Sequence, residues 1–123
     1  MTDARRTFGT LGEGHAASYL RSKGYKILHE QWKSPYGEID LVAKQGDEIV
    51  FVEVKTRRGN TSGYPEESVT KQKIRHLVSC AYNYLDRFGG DVAWRIDVIA
   101  IEFVGTTPQI HHIEAIDIPQ RFQ

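Results

Sequence analysis

Apolar and polar positions change their period several times along the chain, and the changes mark its elements. Ala16, Ala17 and Leu20 stand three, four and seven residues after Glu13, the spacing of one helix face. This predicts a first helix capped by Thr10, running to about Lys23, with Gly24 as its stop signal. From about Tyr25 to Thr56 the period falls to two. Tyr25-Lys26-Ile27-Leu28 opens the stretch, Ile39, Leu41 and Ala43 alternate with Glu38, Asp40 and Val42, and Ile49 to Lys55 is almost wholly β-branched or aromatic around its charges. Two or three strands are expected there. Residues 57–67 carry turn formers without periodicity and predict an exposed loop, with Tyr64 available either to stack on a base or to hook onto the protein's own surface. A second helix from about Thr70 to Phe88 follows from the stripe Ile74, Leu77, Val78, Ala81, Leu85 and Phe88, and Gly89-Gly90 ends it. Trp94 to Ile101 predicts an apolar strand and Ile110 to Ile118 a last, more exposed one. The class is α/β with a mixed sheet, in one domain over residues 1–123 with its core at about 10–118.

The turn before Glu48 sets the distance between two acids. Gly46-Asp47 suits a two-residue hairpin loop, which pairs Gln45 with Glu48 and, counting back, Asp40 with Glu53. Opposed residues on one face have Cβ atoms roughly 4.5–5.5 Å apart. Carboxylates that close repel unless one is protonated or a cation lies between them, and a hard divalent ion is the usual occupant. Glu53 and Lys55 share a face with Ile49 and Phe51. The same register sets Glu38 opposite Lys55, so a plain cross-strand ion pair also fits; a three-residue loop would turn the acids apart.

Composition narrows the setting more than the chemistry. Hydrophobic residues are 40% and charged residues 26% of the chain, ordinary for a globular protein. No apolar run approaches the ~18 residues of a membrane span, and Met1-Thr2-Asp3-Ala4-Arg5-Arg6 lacks an apolar secretion segment behind it. The single Cys80 lies in a helical apolar pattern, which excludes an internal disulfide and suits a reducing cytoplasm. Sixteen Lys and Arg balance sixteen Asp and Glu, so any phosphate-binding surface must be local.

Glu13 fits two readings. As the partner of Thr10 it completes a capping box; as an acid on the helix's small apolar face it points toward the sheet, which is costly without a cation. Glu13 in a first helix, then Gly37-Glu38-Ile39-Asp40, Glu53-Val54-Lys55 and a helix opening Lys71-Gln72-Lys73 together resemble the PD-(D/E)xK nuclease superfamily. Within it, the chain resembles the small bacterial YraN-type (UPF0102) family, related to archaeal Holliday junction resolvases. The resemblance runs from about Gly12 to Ile101, and Asp40 takes the acid's place without the preceding proline.

The resemblance implies a restriction-endonuclease-like fold, a mixed central sheet flanked by helices, and Mg²⁺- or Mn²⁺-dependent hydrolysis of phosphodiester bonds in DNA. Branched or junction DNA is the expected substrate and a homodimer the expected assembly, if the resolvase likeness extends that far. Asp40, Glu53, the Val54 carbonyl and Glu13 are the implied metal ligands. Lys55 is the implied catalytic lysine, and Gln72, or Lys71 in its place, would steer Lys55 or the attacking water. Arg57, Arg58, Lys71, Lys73 and Arg75 flank that site and are the candidate nucleic-acid contacts, while Asp91, Glu102, Glu114 and Asp117 gather toward the C-terminal half. His111-His112 alternate faces and have no evident acid set; Asp97 reads either as a satisfied buried carboxylate, the preferred reading, or as an acid reaching the site from a neighbouring strand. Trp32, Trp94 and the tyrosines are expected in the core or at an interface. The alternative function is a non-catalytic nucleic-acid- or protein-binding module on the same fold, which the zero net charge favours and the paired acids do not.

Overall fold

In the computed structural model, which describes residues 4–59 and 69–123, helix α1 (Ala4–Ser22) leads into three consecutive antiparallel strands. These are β1 (Lys26–Ser34), β2 (Gly37–Gln45) and β3 (Glu48–Arg58). Helix α2 (Lys71–Tyr84) then leads, through a π-helical turn at Leu85–Gly89, to β4 (Trp94–Val104) and β5 (Thr107–Ile113). The five strands form one sheet in sequence order, with β3 and β4 parallel and every other pair antiparallel. This is the mixed sheet flanked by helices that the sequence predicts. No helix among the described residues is long and apolar enough to cross a membrane.

The faces of β3 explain why its sequence is so uniformly apolar. Val50, Val52 and Val54 pack with Ala16, Ala17 and Leu20 of α1, whereas Ile49 and Phe51 pack with Leu77, Val78, Ala81 and Tyr84 of α2. A strand covered on both faces has no solvent side to mark with polar residues. Its charges at Glu53 and Lys55 therefore stand where packing alone would place none.

Several boundaries differ from expectation for identifiable reasons. Helix α1 starts at Ala4, so Thr10 lies inside it and cannot be its cap; the capping-box reading of Glu13 falls with it. At the other end Gly24 takes φ 89° and Tyr25 N donates to Leu20 O, the glycine-terminated motif expected. Thr70 caps α2, its side chain accepting from Lys73 N. The last strand lies earlier than Ile110–Ile118 because Gly105 (φ 64°) turns the chain just after Val104. Arg57 and Arg58 extend β3 rather than starting a loop, and Tyr64 falls outside the described residues. Trp32 is buried, but Tyr36 and Tyr82 are exposed, so not every aromatic is core. Cys80 is buried and its Sγ accepts from Ser34 Oγ.

Strict alternation also fails in β2. Ile39 packs in the cluster under α2 and Leu41 in that under α1, although they are two residues apart. The pattern slips at Asp40. On β1, Gln31 sits between the pairs Glu30↔Leu41 and Trp32↔Ile39 and takes φ 51°, a left-handed conformation rare outside glycine. Both strands are irregular at one level, and that level holds the acids.

Candidate metal centre

The hairpin keeps the register expected from its turn as far as Leu41↔Val52, and the Asp40–Glu53 pair predicted one step on is not part of the ladder. Gln45↔Glu48 through Leu41↔Val52 are paired in sequence, and there the ladder stops. One step on, Val54 N donates 2.8 Å to Asp40 Oδ2 instead of to a β2 carbonyl. A buried N–H must find an acceptor; here a side chain supplies it, so the strands part and leave a gap at Asp40.

Side chains enter that gap from both layers. Glu13 comes from α1, and its carboxylate lies with those of Glu38 and Asp40 in a group whose ligand atoms are all within 4.8 Å of one another. Gln31 Nε2 donates 2.8 Å to Glu13 Oε2 and fixes it. Gly12 makes the approach of α1 possible, because a Cβ there would overlap Thr56 Oγ1 and come within 3.0 Å of Thr56 Cβ. From the other layer, Lys73 Nζ stands 3.7 Å from Glu53 Oε2. Lys55 Nζ is 3.9 Å from Glu53 Oε1, so it pairs along its own strand, while Glu38 turns to Glu13 and Asp40.

The electrostatics are those of a site short of positive charge. Burial, then the charge of Glu53, then that of Glu13 push Asp40 up to about 8, against the opposing pull of the Val54 N–H. Glu53 is 4% exposed; burial raises its pKa, and Lys73 and Lys55 offset only part of that. Its Oε2 is buried and accepts no hydrogen bond, since the ammonium at 3.7 Å is too distant for one. With Glu53, which lies outside the close group of Glu13, Glu38 and Asp40 but interacts by charge with Asp40 and Glu13, four carboxylates stand with two ammonium groups (Lys55, Lys73), an excess of two negative charges if all ionise. One divalent cation would balance it. A hard ion with oxygen ligands suits that donor set and the orphaned oxygen.

A second buried acid has the opposite surroundings. Asp97 is fully buried, and accepts from Arg95 Nε at 3.0 Å, His112 Nε2 at 2.7 Å and Ala115 N at 2.9 Å. Burial pushes its pKa upward, but hydrogen bonds from His112, Arg95 and the Ala115 N–H outweigh this and lower it. Asp97, His112 and Glu114 are close enough to ligate an ion, yet Arg95 already bridges Asp97, Glu114 and Glu48. Asp97 is the satisfied carboxylate that its sequence setting suggests. The expectation that the histidines have no acid partners is corrected: His112 meets Asp97, and His111 meets Glu102 at 3.2 Å.

The remaining predicted residues spread over several surfaces. Gln72 is exposed and lines a groove with Lys71, Arg75, Arg121 and Phe122. Lys73, which the sequence offered only as a nucleic-acid contact, is the α2 residue that reaches Glu53. Arg57 lies 3.5 Å from Glu102, its partner across the parallel ladder. The separation of cations from C-terminal acids therefore fails there, because β4 runs beside β3. Arg58 turns to the α1 face and stacks over Phe8, 4.9 Å from its ring centre. Glu38 was missed as a site acid; its two-residue spacing from Asp40 was the available signal.

Comparison with known proteins identifies the family. The model of the uncharacterised protein family UPF0102 matches residues 12–101, which contain all six of these charged residues. The chain belongs to the UPF0102 family. A UPF0102 protein of Syntrophomonas wolfei is 47% identical over 111 residues, 88% of this chain and 95% of the relative. One from Phocaeicola vulgatus is 40% identical over 112 residues, covering 91% and 93%. One from Moorella thermoacetica is 46% identical over 102 residues, covering 82% and 85%.

Proposed function

We propose that this UPF0102 protein is a Mg²⁺- or Mn²⁺-dependent endonuclease that hydrolyses phosphodiester bonds in DNA, with branched DNA as the first substrate class to test. The observation that carries the reading is the unbalanced acid cluster, with an orphaned Glu53 oxygen and an Asp40 that holds a proton near neutrality. Asp40 and Glu53 would hold the ion, with Glu13 and Glu38 on its other flank. The Val54 carbonyl is available as well, because a strand residue turns its N–H and C=O toward the same neighbour and the N–H faces Asp40. When bound, the ion supplies Lewis-acid charge at the scissile phosphate and lowers the pKa of water.

The chain's own residues do the rest. Lys55 and Lys73, both paired with Glu53, would orient the nucleophile and neutralise charge that develops on the phosphate. Gln31 holds Glu13 toward the cluster. A binding module without catalysis is the second reading; the neutral total charge favours it. Binding alone gives no reason to keep four carboxylates short of cations.

Calorimetric titration with Mn²⁺ on wild type and Asp40→Asn, followed by cleavage assays on duplex, flapped and four-way DNA, separates the two. Metal uptake lost in the variant, with metal-dependent cutting by wild type alone, supports the nuclease. Tight DNA binding by wild type without cleavage of any form would leave the binding module.

A further inference from the structure

The C-terminal segment lies beyond the residues that the family model matches, yet it is anchored firmly onto the fold. Ile116 N donates 2.8 Å to Ile96 O of β4. Ile116, Ile118 and Phe122 pack against the cluster under α2, and a short 3₁₀ turn at Gln120–Phe122 ends the chain. This docking sets Arg121 and Phe122 against the first turns of α2, where they line a groove of about 300 Å³ with Lys71, Gln72 and Arg75.

The groove is cationic and prearranged. Arg75 and Arg121 both stack on the Phe122 ring, 4.9 and 5.0 Å from its centre. Their guanidinium groups thus lie within about 10 Å of each other, so that one bound anion can meet both. Stacking leaves the N–H edges of a guanidinium free for two-point contact with phosphate. Among the described residues no ion pair engages Lys71, Arg75 or Arg121. An anion in the groove would give these cations a charge partner.

Location identifies the anion. Lys73, which touches the acid cluster, lies between Lys71 and Arg75 in sequence but on another side of α2. A helix with its side chains is about 10–12 Å across. A strand advancing roughly 3.4 Å per nucleotide passes around half of such a helix, about 16–19 Å, in about five nucleotides.

We infer that Arg121 and Phe122, with Lys71 and Arg75, form a second phosphate-binding surface that holds the DNA strand a few nucleotides from the metal centre. The inference rests on the nuclease reading and makes the C-terminal segment part of substrate binding.

The test is fluorescence anisotropy of full-length protein with labelled flapped DNA in Ca²⁺ across a salt series. Wild type, Arg121→Gln, Arg121→Lys and Arg75→Gln/Arg121→Gln are compared, with melting temperatures recorded. Arg121→Gln is expected to weaken binding about 3- to 10-fold at 0.1 M salt and to reduce the log–log salt slope by about 0.9, as for one lost phosphate contact. Arg121→Lys should keep the slope, and the double variant should lose about twice as much of it. Calorimetric Mn²⁺ affinity should be the same in all four proteins. Wild-type slope and affinity in the folded double variant would overturn the inference alone, as would equal competition by polyglutamate, which would mark an acidic-protein site. Failure of wild type to bind any DNA would overturn the nuclease reading as well.

Discussion

Replacing Asp40 by Asn should stabilise the metal-free protein, and the gain should grow with pH. An aspartate in an unfolded chain titrates near 3.9, whereas burial and the charges of Glu53 and Glu13 hold Asp40 up to about 8. Between these values the folded chain keeps a proton that the unfolded chain releases. Stability is therefore greatest below the unfolded pKa and is lost as pH rises through the folded one. Each pH unit inside the window costs about 1.4 kcal/mol, so the ceiling at pH 7 is about 4 kcal/mol. Sharing of the proton with Glu53 lowers this, and a realistic gain for Asp40→Asn is about 1–3 kcal/mol. Asn still offers an oxygen to the Val54 N–H, so that hydrogen bond survives. At about 4 °C per kcal/mol for a chain this size, the melting temperature should rise by about 4–12 °C. Scanning calorimetry in EDTA at pH 5, 6, 7 and 8 measures it, with the gap between variant and wild type widening at each step. Mn²⁺ at 1,000 times its Kd should reverse the order, because it adds about 4.1 kcal/mol to wild type. An Asp40→Asn protein that melts below wild type at pH 8 in EDTA would refute the reasoning.

Asp97→Asn should behave oppositely and cost about 3–5 kcal/mol, because it strips a buried carboxylate from Arg95 and His112; urea denaturation at pH 7 reads it. The depressed pKa of Asp97 also means that its stabilisation is present above the usual carboxylate range and lost as pH falls through the folded value, so wild type, but not Asp97→Asn, should lose it in acid titrations. Metal binding at pH 7 should release about one proton, seen as calorimetric heats that differ between Tris and phosphate, since Asp40 must ionise to ligate. Gly12→Ala should cost about 1–3 kcal/mol through the overlap with Thr56 and also weaken Mn²⁺ binding by displacing Glu13; an unchanged affinity would separate the helix's close approach from the site. Lys73→Met should lower metal-dependent cleavage at least 100-fold while Gln72→Ala leaves it within about threefold, and equal effects would be evidence against Lys73 as the α2 contribution to catalysis.

What could be read from the chain divides by whether one element or several supply the geometry. The hairpin register from Gln45↔Glu48 to Leu41↔Val52 was legible because a two-residue turn at Gly46-Asp47 counts both strands out from one point, but the break that keeps Asp40 and Glu53 out of the ladder was not. Helix α2 was legible because its stripe and the Thr70 cap are local. The start of α1 was not, since the first turns carry no apolar period and Thr10 imitates a cap. The sequence pointed to Gln72 because it opens the helix, but the sheet approaches from the side of Lys73 and Leu77. The Arg57–Glu102 contact needs the parallel pairing of β3 with β4, and the groove at Arg121 needs a tail that folds back over β4 and α2. Neither crossing leaves a mark in the local pattern.

The break in β2 joins these observations to function. A regular hairpin of this register would pair β2 and β3 past Leu41↔Val52, and its backbone groups would be satisfied without Asp40. Instead Asp40 accepts the Val54 N–H, Gln31 adopts a left-handed conformation on the next strand and donates to Glu13, and alternation slips between Ile39 and Leu41. Such backbone strain costs of order 1–3 kcal/mol at a non-glycine residue and persists only where surrounding packing imposes it. Here the helix at Gly12 and the buried strand β3 impose it, and the result is a gap that gathers acids from three elements. Asp97 shows that the same sheet can bury an acid with every charge met by the protein. The cluster at Asp40 leaves that balance open by about one divalent ion, so its deficit is a local property of the site rather than a general cost of this core.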